Sequence, residues 1–133
     1  MDEIIRSLTQ LLSKNIALDA TQFNILLSTI DCKFPSDYIE FMKEKNGGEG
    51  IIGEGRYVQF WLLEELLEAN ADYMVHEFAP DLFLIGSDGG GTAFGVKRNE
   101  GIFIEVPFVG MSNDEAIERG KGFKEFLSFL SNQ

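Results

Sequence analysis

The chain predicts an α+β domain whose mainly antiparallel sheet packs against N- and C-terminal helices. Apolar residues recur at helical spacing toward both ends of the chain, and β-rich runs occupy its middle. The connections between those runs are too short for the crossovers that parallel strands need. Two glycine-rich corners, Asn46-Gly47-Gly48-Glu49-Gly50 and Gly86-Ser87-Asp88-Gly89-Gly90-Gly91, fix the order of elements. The first reads as a helix C-cap and the second as a hairpin connection, because glycine enters left-handed backbone at little steric cost.

From the N-terminus, Ile4, Ile5, Leu8, Leu11 and Leu12 predict a helix over Asp2–Ser13, with acidic residues in its first turn. A second helix follows Asp19 as N-cap, with Phe23, Leu26, Leu27 and Ile30 as its buried stripe. Pro35 or Ser36 opens a third, whose Tyr38, Phe41 and Met42 share a face and which Asn46-Gly47 ends. Tyr57–Trp61 is aromatic and β-branched, hence a strand, and Leu62–Asn70 is a helix with Leu63, Leu66 and Leu67 inward. Leu82–Ile85, Thr92–Val96 and Gly101–Val106 are three further strands, joined by Asp88-Gly89-Gly90-Gly91 and by Lys97–Gly101. Phe123, Phe126, Leu127 and Leu130 mark a closing helix. No repeat or linker divides the chain, so residues 1–133 are expected to form one domain with a core large enough to fold without disulfide or metal.

Twenty-two acidic residues against 11 basic ones leave a net charge of −11. A field of that sign repels nucleic acid and anionic membranes and draws a basic partner inward. It also keeps a protein soluble, and both readings stand. Cys32 is the only cysteine, which rules out an intrachain disulfide and fits a reducing cytoplasm; it reads as a small buried residue rather than a nucleophile. The start, Met1-Asp2-Glu3-Ile4-Ile5-Arg6, lacks the pattern of a signal peptide, and no apolar run has the length of a membrane span. A cytoplasmic protein is the expectation.

Catalytic patterns fail on context. Gly48-Glu49-Gly50-Ile51-Ile52-Gly53 spells G-x-G-x-x-G, but a helix precedes it, a strand follows it, and Glu49 and Glu54 repel phosphate, so a helix-terminating loop is expected there. No G-K-[ST] follows a glycine run, and Ser87 lacks the spacing of a nucleophile elbow. His76, the only histidine, has no companion ligands for zinc and no nucleophile beside it, and reads as a structural or surface residue. Glu64, Glu65 and Glu68, with Asp72 nearby, and Asp114, Glu115 and Glu118 read as solvated acidic faces rather than a glycosidase pair. Asp88 lacks the alternating oxygen ligands of a calcium loop. No enzyme activity, cofactor or metal is expected.

The ordered set Phe34-Pro35-Ser36-Asp37-Tyr38-Ile39-Glu40-Phe41, Asn46-Gly47-Gly48, Trp61-Leu62-Leu63-Glu64-Glu65-Leu66 with Asn70, Ile85–Gly91 with Phe94, and Gly122-Phe123-Lys124-Glu125-Phe126-Leu127 resembles the SUKH superfamily from about Ala20 to Leu130. Each motif is short; their order is what is specific. The chain departs with Phe34 where the family commonly has Leu, and with Gly122 where it commonly has Ser, which removes a cap from the last helix.

The resemblance implies a non-catalytic α+β domain. Bacterial members are often immunity proteins that neutralise toxins, many of them nucleases, and fungal members include regulators of cell-wall assembly. Pro35, Tyr38, Phe41, Asn46, Gly47, Gly48, Trp61, Gly86, Gly89, Gly90, Phe123 and Phe126 match family positions and are expected to be structural, with Trp61 in the core. Glu64 and Asp88 also match recurrent family positions. Together with Glu65, Glu68, Asp114, Glu115 and Glu118 they are the candidate partner-binding residues. The expected partner is a cognate, basic toxin. A regulatory scaffold and a small-ligand module using a cleft beside the glycine corners are the alternatives.

Overall fold

In the computed structural model, which describes residues 1–133, the chain runs through α1 (Glu3–Leu8), α2 (Ala20–Ser28), α3 (Ser36–Lys45), β1 (Gly48–Ile52) and β2 (Arg56–Phe60). A 3-10 turn (Leu63–Glu65), α4 (Leu66–Asp72), α5 (Val75–Phe78), β3 (Leu82–Ser87), β4 (Thr92–Lys97) and β5 (Phe103–Pro107) follow. A second 3-10 turn (Asn113–Glu115), β6 (Ile117–Gly120) and α6 (Phe123–Ser131) close the chain. The six strands form one antiparallel meander in sequence order. The α+β class is the one expected.

Alternation along the strands divides the core into two layers. Phe83 and Ile85 of β3, Phe94 and Val96 of β4 and Phe103 of β5 join residues of α1, α2, α3 and α6 on one face. Leu82, Leu84, Ala93, Ile104 and Val106 face the other way, against Val75 and Ala79 at α5 and Met111. The terminal helices therefore cover one face as predicted. α5, with Ala79 just after it, and the stretch around Met111 cover the other, while Leu66 of α4 packs into the first layer. Phe123 anchors the first layer, with Tyr38, Phe41, Phe60 and Phe103 around it at centroid distances of 4.9–5.7 Å. Tilted and edge-on aromatic pairs of this kind add to the burial term.

The two glycine corners meet at β2. Phe60 pairs with Gly48 of β1 on one side and Gly86 of β3 on the other. A Cβ on Gly86 would lie 2.0 Å from the Gln59 carbonyl oxygen. Gly47, at φ +83°, approaches the Phe60 carbonyl oxygen as closely as 2.4 Å in the same sense. Both glycines let neighbouring backbone close against β2, where any side chain would collide.

Several elements differ from expectation. The first helix stops at Leu8, because the Thr9 hydroxyl donates to the Ile5 carbonyl at 2.7 Å and the chain turns there. Leu12 then drops into the core, whereas Ile4 and Leu11 are exposed. Gly48–Ile52, expected as loop, is an edge strand, held on its outer side by Ser13, which bonds the Glu49 backbone in both directions. The other edge strand, β6, and the short helix α5 are also additional. Leu67 is 46% exposed rather than inward. Trp61 lies just beyond β2, half-buried between the two layers and touching both, rather than inside the core.

Candidate partner-binding surface

Two buried asparagines shape the acidic segment that follows β2. Asn46 ends α3 in left-handed backbone (φ 52°) and is fully buried. Its Oδ1 accepts from the Leu63 N–H at 2.9 Å, and its Nδ2 donates to the Ile16 carbonyl at 3.0 Å and to Glu64 Oε1 at 2.7 Å. Asn70 does the work of an absent strand. Beyond Trp61, whose N–H still donates to the Ile85 carbonyl at 3.0 Å, the chain turns away from β3, and the Leu84 backbone has no β2 partner. The Asn70 side chain replaces it, accepting from the Leu84 N–H at 2.8 Å and donating to its carbonyl at 2.9 Å. This pairing seats α4 against β3, because buried backbone groups need partners.

α4 then presents a cleft of about 430 Å³ lined by Trp61, Glu65, Ala69, Asp72 and Tyr73. Glu65, Ala69 and Asp72 fall at helical spacing, so one stripe carries a small residue between two carboxylates. The Trp61 and Tyr73 rings stack at 6.0 Å and 11°, and Tyr73 packs on Phe108 at 4.6 Å. Tyr73 is 45% exposed, so the aromatic row reaches solvent.

The candidate acidic residues fall into separate places. Glu64 is exposed but commits one oxygen to Asn46. Glu65 lines the cleft, and Glu68 is exposed on α4. Asp88 serves its turn, accepting from the N–H groups of Gly90 at 2.8 Å and Thr92 at 3.2 Å. Glu118 on β6 takes a hydrogen bond from Lys97 Nζ at 2.5 Å. That bond, helped by the charges of Glu118, Glu100 and Asp81, raises the Lys97 ammonium above its ordinary value. Asp114 lines a shallow polar hollow with Asp81, Lys97 and Glu100, and Glu115 is exposed beside it. The structure thus joins Glu65 with Asp72, and Glu118 with Lys97, but not the two acidic groups with each other. His76 is exposed, as expected for a surface histidine.

Tyr73 and Phe108 were not singled out in the sequence, and one signal pointed their way. No Lys or Arg occurs from Tyr57 to Val96. Between Arg56 and Arg119 stand twelve carboxylates and only Lys97 and Arg98, whereas the rest of the chain holds ten carboxylates and nine basic residues. Most of the net charge therefore lies in the chain segment that carries α4, α5, β3 to β5 and the Asn113–Glu115 turn, even when Arg56 and Arg119, which pair with Glu105, are counted with it. The helices of the first layer are close to neutral.

The arrangement suits binding of a cationic surface. No group of three or more His, Cys, Asp or Glu side chains is placed to hold a metal ion. Burial pushes the Cys32 thiol up to about 12, which makes it a poor nucleophile at neutral pH. No helix is long and apolar enough to cross a membrane.

Comparison with protein families matches residues 18–128 to the SMI1 / KNR4 family (SUKH-1). No curated protein shows a significant match to the chain. Domains of the family interact with proteins and are generally non-catalytic, in keeping with a surface of exposed carboxylates around Tyr73. The match runs from before α2 into α6 and takes in both glycine corners, Asn46, Trp61 and Asn70. The chain belongs to the SMI1 / KNR4 family (SUKH-1).

Proposed function

We propose that the protein is an immunity protein, which binds a cognate basic toxin of the nuclease type in the cytoplasm and neutralises it by covering or flanking the toxin's active cleft. The observation that carries this reading is the charge asymmetry, with twelve carboxylates against two basic residues between Arg56 and Arg119. A nuclease holds its substrate with positive charge, and an acidic face is complementary to that charge. Steering by this face speeds encounter, and the apolar row of Trp61, Tyr73 and Phe108 sets the residence time. Membership of a protein-interacting family supports a protein partner over a small ligand.

Co-expression tests the reading. Cells in which the toxin encoded beside this gene is induced survive when the protein is present, and the two proteins co-purify. Equal killing with and without it, together with no complex in vitro, overturns the immunity role and leaves a regulatory scaffold.

A further inference from the structure

We propose that the cleft on α4 receives a single long cationic side chain, arginine in preference to lysine, from an exposed loop of the protein partner. This rests on the partner-binding reading above and narrows it to one anchor. The walls supply each part of such a side chain with a counterpart. Ala69 leaves an apolar floor for methylene groups, the stacked Trp61 and Tyr73 supply an aromatic wall, and Glu65 and Asp72 bracket the floor with carboxylates. A guanidinium stacks on aromatic rings and pairs with carboxylates in a planar fork, which a compact ammonium does less well.

The cation has to come from outside. Other carboxylates of this acidic stretch have internal cations: Glu118 has Lys97, and the largely covered Glu105 has Arg56 and Arg119. Neither Glu65 nor Asp72 takes part in an ion pair, and no basic residue lines the cleft. Glu65 accepts only a 3.3 Å bond from the Leu62 N–H. Exposed carboxylates beside half-buried Trp61 and exposed Tyr73, in a stretch without Lys or Arg from Tyr57 to Val96, form a cation subsite.

The experiment is a titration of the isotopically labelled full chain with acetyl-Gly-Arg-Gly-amide, followed by NMR, with the corresponding Lys and Gln peptides as comparators. Saturable shifts are expected at the Trp61 indole N–H and at the amides of Ala69 and Tyr73, stronger for Arg than for Lys and absent for Gln. Glu65→Gln with Asp72→Asn, which keeps the acceptor for Leu62, is expected to weaken binding about fivefold or more with an unchanged thermal midpoint. Tyr73→Ala is expected to do the same. Non-saturating shifts spread over Asp114, Glu115 and Glu118 as much as over the cleft, or full binding by the double variant, overturn the proposal. The same variants separate the two readings in complex with the toxin. Undiminished toxin binding by the double variant removes the anchor alone, whereas peptide binding without any toxin complex removes the immunity role alone.

Discussion

Asp37, in the first turn of α3, caps the helix that begins at Phe123. Its two carboxylate oxygens accept from the backbone N–H groups of Phe123 and Lys124, each at 2.9 Å. Gly122 occupies the N-cap position in extended backbone and has no side chain to do this, and a Cβ there would lie 3.2 Å from Asp37 Oδ2. The cap that the sequence lacks locally is supplied across the fold. Asp37→Ala is expected to cost about 1–2 kcal/mol in denaturant unfolding. Adding Gly122→Ser to that variant should recover part of the loss, since Ser is a good N-cap once the carboxylate has gone. A wild-type midpoint for Asp37→Ala would show that the cap contributes nothing.

Asn70 gives a second test. Asn70→Ala leaves the buried Leu84 N–H and carbonyl without partners and should cost about 2–3 kcal/mol. Asn70→Asp can donate to the carbonyls only when protonated, and burial raises its carboxyl. A raised folded-state value means that stability is present below it and lost as pH rises through it. The Asp variant should therefore be closer to wild type in acid than at neutral pH, as urea melts at the two conditions would read. Equal losses at both would contradict the strand-mimic role.

Most of the architecture was legible because its signals are local. Asp19 as a cap, Asn46-Gly47 as a helix end and the β-rich runs joined by Asp88-Gly89-Gly90-Gly91 need no tertiary partner to be recognised. The edge strands were not, for the opposite reason. Gly48–Ile52 has two glycines and a charge in five residues, and becomes a strand only because β2 and Ser13 accept its backbone. Ile117–Gly120 is mostly exposed and takes its form from β5. Leu67 and Leu11 fit the helical period yet face solvent, because periodicity gives a face without saying how far the opposing layer extends. At the candidate surface, Glu64, Glu65 and Glu68 were visible as a charge run. The joining of Glu65 with Trp61 and Tyr73 depends on Asn70 seating α4 against β3.

The half-buried position of Trp61 separates it from Phe41. Phe41 is fully buried between Phe60 and Phe123, so Phe41→Ala should cost about 3–5 kcal/mol. Trp61→Ala should cost roughly half of that, and exposed Glu68→Ala no more than about 0.5 kcal/mol. Equal losses at Phe41 and Trp61 would mean that the tryptophan is a core residue after all.

Stability should fall on the alkaline side. Burial pushes the Cys32 thiol from 9.0 up to about 12 and raises the Tyr38 phenol, whose buried hydroxyl has no hydrogen-bond partner. Both groups ionise at higher pH in the folded chain than in the unfolded one. Their contribution is complete below about pH 9 and is lost as pH rises toward 12. Denaturant midpoints measured across that window should decline, less steeply for Cys32→Ser. Iodoacetamide should label Cys32 slowly until the chain unfolds. A flat alkaline profile with fast labelling of the native protein would contradict the burial of Tyr38 and the half-buried setting of Cys32.

In the proposed complex the acidic stretch from Tyr57 to Glu118 carries the binding charge. The direct measurement is the association rate with the cognate basic toxin at low salt for two variants of equal net charge. One carries Glu65→Lys, Glu68→Lys and Asp114→Lys; the other carries Glu3→Lys, Glu40→Lys and Glu125→Lys on the first-layer helices, and both are checked for wild-type circular dichroism. The first should associate about tenfold or more slowly, with a weakened salt dependence, while the second stays near wild type. Equal slowing by both variants, or by neither, would contradict the assignment of the binding face.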